Sequence, residues 1–166
     1  MNINIDTDID ANVKKEAVFS HLVGTLRIAL GFIFLWAFIE KVPAALSGTS
    51  PAYGFLTYGT SGPFAPFFQS LAGNAIVDFL YMAGLLGVGL ALMLGIGMKI
   101  AGISGALMMT LIYLAALPPE HNPVIDEHII YALLVLLFIP LQAGTVLGFG
   151  NWWRQNQLVK RFPILE

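Results

Sequence analysis

Four apolar stretches, each about as long as the roughly 20 residues a helix needs to cross the hydrocarbon core, account for most of the chain. The first covers 18–39 and is interrupted only by His21 and Arg27. The second, 79–98, follows Asp78 and carries no charge. Lys99 punctuates, and 100–117 continues uncharged until Pro118-Pro119. The fourth opens at Glu127-His128 and continues to about 149. With their flanks, the spans are expected over about 18–41, 76–97, 99–117 and 127–148. Residues 95–99 must hold the turn between the second and third spans, and 118–126 is also short, so consecutive helices are antiparallel neighbours. The expected fold is therefore all-α: an integral membrane four-helix bundle with antiparallel up-down topology. Residues 17–153 form the transmembrane domain, between a polar tail over 1–16 and a second tail over 154–166.

The one long connection, 42–77, contains no Lys, Arg, Asp or Glu between Val42 and Val77 and is rich in Gly, Pro and aromatic residues. So apolar a loop is expected to lie in the membrane interface or fold over the bundle, with a short helix near 66–71. Ala83, Gly87, Ala91 and Gly95 recur every four residues in the second span, which predicts a small-residue face for close helix approach. The third span offers Gly102 and Ala106, or Ala101 and Gly105, as its match.

Composition settles the class. The chain is 57% hydrophobic with mean hydropathy +0.78, and only 11% of it is charged, against about a quarter in a soluble domain. The net charge of −2 gives no basis for nucleic-acid binding. The absence of cysteine excludes disulfides, thiolate nucleophiles and cysteine-ligated iron–sulfur clusters. Asp6, Asp8, Asp10 and Glu16 sit where a cleaved signal would need positive charge, so no signal peptide is expected. Lys14, Lys15, Lys99, Arg154, Lys160 and Arg161 fall on one side of the predicted topology. The expected placement is a cell membrane, multi-pass, with both termini cytoplasmic and Trp152-Trp153 as an interfacial anchor.

Charge within or beside a span is costly and needs a reason. Glu40, Lys41, Asp78, Glu120, His121, Asp126, Glu127 and His128 all gather at the predicted outer mouth, under the aromatic loop. These are the leading candidates for a site. For Asp126 and Glu127 the competing explanation is ordinary: acids at a helix N-terminus offset its dipole. Arg27 lies some two turns inside the first span. It either snorkels to the interface or faces the interior on a stripe with Gly31, Phe34, Phe38 and Lys41. The three histidines lie at unmatched depths, so no haem is expected, and no spacing diagnostic of a metal is present.

Four elements together resemble the DoxX/DoxD family of small four-helix membrane proteins. They are Arg27-x-x-x-Gly31 followed by Glu40-Lys41; Asp78 followed by Gly87 and Gly95; Asn122-Pro123-Val124-Ile125-Asp126-Glu127-His128 leading to Tyr131; and Gly148-Phe149-Gly150-Asn151-Trp152-Trp153. The resemblance spans roughly 20–155. It implies a membrane subunit of a quinone-linked oxidoreductase, of the kind that oxidises thiosulfate or another small sulfur compound. On that reading Glu40, Asp78 and His128 are catalytic, and Arg27, Lys41, Asp126, Glu127 and Tyr131 bind quinone or substrate. Membrane quinone is the expected cofactor, and a second protein subunit or a homo-oligomer is the expected partner. Two alternatives stand beside it: a non-catalytic membrane scaffold for soluble redox enzymes, and a small-anion transporter or channel using Arg27 and Lys41.

Overall fold

A computed structural model describes residues 5–119, 122 and 124–166, with side chains from residue 12 onward. Its helices are α1 (Ile5–Leu46), α2 (Tyr53–Tyr58), α3 (Ala65–Gln69), α4 (Ala75–Leu94), α5 (Met98–Ala115), α6 (Glu127–Leu137), α7 (Gly150–Trp153) and α8 (Gln157–Arg161), and the described residues contain no strand. Three helical stretches are long and apolar enough to cross a membrane: Asn12–Leu46, Ala75–Leu94 and Met98–Ala115.

The structure adds to the expectation at the start of this series and departs from it at the end. The stretch expected as a polar tail over 1–16 is helical from Ile5 onward. It contains no Gly or Pro to stop a helix, and its acids favour a helix start. The fourth apolar segment, expected as one helix over 127–148, is helical for only 11 residues, about 16 Å of rise. Pro140 lacks the N–H the next turn needs and disfavours helical geometry at Ile139. The chain then turns through Gln142 and Leu147, both at positive φ, and re-enters helix at α7.

The packing is antiparallel throughout. Gly31 of α1 faces Leu92 of α4, Leu35 faces Gly89, and Lys41 lies over Tyr81. On α5, Gly105 meets Val88 of α4 and Val135 of α6, while Gly102 meets Ile139 and the Val135 carbonyl. One core cluster joins all four helices through Leu30, Phe34, Leu85, Val88, Leu92, Met109, Val135 and Phe138. In lipid such contacts act through dispersion and close fit, since the surrounding acyl chains are as apolar as the core.

Of the small-residue face predicted on the second span, Gly95 is closely approached, by Gly144 and Arg27, but Ala83 and Gly87 are not part of a helix contact. Gly87 has no neighbour within 4 Å of a Cβ built on it, and Ala83 is exposed. The close approach runs instead through Gly31 and Gly89. A Cβ on Gly31 would stand 2.9 Å from both Leu92 Cβ and the Met93 nitrogen. Spacing alone marked a small-residue stripe on α4; the partner helix chose a different edge of it.

The expected 42–77 connection is shorter, since α1 continues to Leu46 and α4 begins at Ala75, and of its two expected placements it takes the one over the bundle. Its short helix is α3, close to the expected 66–71, and α2 adds a second. Leu56 and Phe68 bury against Ala115, with Tyr81 and Leu114 packed alongside. Ser61 locks the strap to the end of α5, its N–H donating to the Ala115 carbonyl at 2.9 Å and its hydroxyl to Leu117 at 3.0 Å.

Candidate functional site

The antiparallel order brings the C-terminal end of α1, both ends of the 42–77 strap, the start of α4, the end of α5 and the start of α6 to one end of the molecule. Most of the predicted site residues lie here. Glu120 and His121 fall outside the described residues, as does Pro123.

Glu40, Lys41, Asp78, Asp126 and His128 each have a local partner. Glu40 is exposed and accepts from Trp36 Nε1 at 2.8 Å. Lys41 donates to the Ala37 carbonyl at 3.3 Å and sits 5.8 Å from the Tyr81 ring centroid, within cation–π range. Asp78 Oδ1 accepts from the Ser50 hydroxyl at 2.8 Å and the Ala52 N–H at 3.1 Å. The carboxylate therefore ties the start of the strap to α4.

Asp126 and His128 form the most chemically specific arrangement. Asp126 caps α6, with Oδ1 accepting from the N–H groups of His128 and Ile129. Its Oδ2 lies 2.8 Å from His128 Nδ1. An ionised carboxylate only accepts, so Nδ1 carries the proton and a neutral ring presents Nε2 as an acceptor. The pair is mostly buried, with side-chain exposures of 25% for His128 and 14% for Asp126. Glu127 is exposed in the first turn, and Tyr131 packs half-buried against the core. The ligand atoms of Asp126, Glu127 and His128 lie within 4.8 Å of one another, but three adjacent side chains at a helix start form an incomplete coordination shell.

Among the described residues, Asp78 lines a groove that the other candidate residues at this end do not line. This open groove of about 400 Å³ between residues 45–51 and the start of α4 is lined by Ser50, Asp78, Phe79 and Met82. Glu40, Lys41, His128 and Tyr131 do not line it.

Arg27 lies toward the other end and is completely buried. Its Nη1 donates to the carbonyls of Leu92 and Met93, and its Nη2 to Val146 and Leu147, at 3.1 and 2.8 Å. The first two are unpaired carbonyls at the end of α4, where Gly95 caps in the left-handed conformation. The other two belong to the irregular run after α6. Arg27 thus faces the interior, as the stripe reading predicts, and its four terminal donors are taken by backbone. Its Nε is buried without a partner among the described residues.

Sequence reasoning treated the Lys99 end as a basic anchor and missed a second constellation there. Lys99 Nζ and Arg154 Nε converge on the Glu166 carboxylate at 2.8 and 2.7 Å. Lys99 Nζ also donates to the Pro163 carbonyl at 3.0 Å, and Trp153 Nε1 donates to Leu165. The hydrogen bond from Lys99, reinforced by the charges of Arg154 and Lys99, holds the Glu166 carboxyl below its ordinary value. No motif spacing links these residues; the fold assembles them. No family model, curated protein or solved structure matches the chain.

Proposed function

We propose that the chain is the membrane-embedded subunit of a quinone-linked oxidoreductase, as its resemblance to DoxX/DoxD proteins implies, and that His128 is its quinone contact. The observation that carries this reading is the His128–Asp126 pair. Asp126 fixes the ring's orientation and tautomer, which prepares Nε2 to exchange a proton or a hydrogen bond with a carbonyl or hydroxyl. Quinone supplies two-electron redox chemistry that no side chain here provides. Electrons from a sulfur compound then enter through a partner subunit, and this chain contributes proton handling. Glu40, exposed beside His128's end of the bundle, is the proton outlet. Asp78, held by Ser50 and Ala52, keeps the strap in place.

The test is quinone retention and turnover by the purified protein with its partner. His128→Ala and Asp126→Asn should both lower turnover, His128→Ala more. Ser50→Ala, which loosens the strap without touching the pair, should leave it near wild type. Normal turnover in both pair variants would remove the site assignment.

A second reading, a non-catalytic scaffold, is favoured by how many polar groups are spent on backbone: Arg27, Asp78 and Lys99 each hold one segment to another. Capture of soluble redox enzymes without bound quinone would select it. The anion-transporter reading loses its main contact, because Arg27 has its terminal donors committed to carbonyls.

A further inference from the structure

We propose that the cavity beside Lys99 binds the phosphate of an anionic phospholipid. The inference rests on the membrane reading of the three long helices and is independent of the quinone proposal. The cavity, of about 250 Å³, lies between the start of α5, the 139–145 run and α7. Lys99 and Arg154 line it, and among the described residues Glu166 is the one carboxylate that does. Gly95 and Gly144 form part of its floor. A Cβ on Gly95 would stand 2.8 Å from Arg27 Nη1, so the buried guanidinium lies directly behind that floor. Two cations thus line a space with one carboxylate among the described residues, and a third cation lies behind its floor.

The donors are not exhausted either. Lys99 spends two of its three N–H groups, on Pro163 and Glu166, and Arg154 spends Nε on Glu166 and Nη1 on Gln142. The remaining donors suit a second oxyanion beside Glu166.

Position selects a lipid over a soluble anion. Lys99 stands at the polar boundary where the apolar length of α5 begins. Ile100, Ile103 and Leu107 are exposed along one stripe leading away from it, which gives an acyl chain a path. Trp152 is exposed beside the cavity, as aromatic side chains are at headgroup depth. Basic pockets between helices at this depth are suited to anionic headgroups.

The test uses the full chain in phosphatidylcholine nanodiscs doped with brominated phosphatidylglycerol, in a Trp36→Phe/Trp152→Phe background that leaves Trp153 as reporter. Brominated phosphatidylglycerol should quench Trp153 several-fold more than brominated phosphatidylcholine at equal fraction. Arg154→Gln and Lys99→Gln should abolish the difference, and Lys160→Gln, on the exposed face of α8, should preserve it. Because those variants could unfold the tail, lipid co-purifying with the unaltered chain is measured by mass spectrometry, and phosphatidylglycerol should be enriched over its bulk fraction. Equal quenching by the two lipids, equal loss in Lys160→Gln, or absence of enrichment would overturn the proposal. Complete displacement by inorganic phosphate would also overturn it, by assigning the site to a soluble anion.

Discussion

Arg27 shows what a single buried charge can be for. A guanidinium inside a bundle is costly unless it is hydrogen-bonded, and this one meets four carbonyls from two chain segments with its terminal donors, leaving only Nε without a partner among the described residues. Replacing it with Met would remove the donor from all four carbonyls, the Leu92 one fully buried and the other three part-buried. Arg27→Met is expected to be destabilising by about 1–3 kcal/mol for each buried carbonyl that finds no other donor. Arg27→Lys should recover only part, since an ammonium cannot reproduce the planar fork. Unfolding midpoints in a fixed detergent mixture measure both; an unshifted midpoint for Arg27→Met would show the clamp to be dispensable. The sequence marked Arg27 as anomalous and left it between snorkelling to the interface and the interior stripe; the structure takes the second. Its acceptors were illegible because they lie 65 to 120 residues further along, and carbonyls leave no trace in residue type. Asp126 and His128 were legible for the opposite reason: a cap and its i+2 neighbour are local.

At the scale of elements, the α1–α4 contact depends on glycine at two places. Gly31→Ala would drive a methyl into the Leu92 Cβ and the Met93 backbone, both 2.9 Å away. The expected cost is about 1–3 kcal/mol of overpacking. Gly87→Ala, with nothing within 4 Å, should be neutral or slightly stabilising through helix propensity. Resistance to unfolding in sodium dodecyl sulfate compares the two; similar values would mean that α1 shifts freely on α4. The positions of α4 and α5 were readable because uninterrupted apolar runs of that length have one economical conformation in lipid. The true length of the fourth helix was not. Hydropathy is blind to Pro140 and to the left-handed backbone at Gln142 and Leu147, which end the helix without ending the apolar run.

For the whole molecule, the two ends differ in kind. One is capped by an apolar strap tied down by Asp78 and Ser61; the other is closed by the Pro163–Leu165 turn, clipped by Lys99 and Arg154. The lowered Glu166 pKa carries a sign. The clip's contribution is complete above the ordinary glutamate range, near pH ~4.3, and fades as pH falls through the lower folded value. Amide exchange over Gln157–Arg161, corrected for intrinsic rates, should therefore show constant protection from neutral pH down to that range and a loss only below it. Loss already near neutrality would mean that Glu166 does not hold the segment. The Arg27 clamp also sets an order of events during synthesis. The first helix is made long before the carbonyls of Val146 and Leu147 exist, and also before α4 supplies its end. In a bilayer the guanidinium must meanwhile be tolerated by water, by lipid phosphates or by the insertion machinery. A chain stopped after Leu137 would leave the clamp half-filled, with Nη1 placed on Leu92 and Met93 and Nη2 without the Val146 and Leu147 carbonyls.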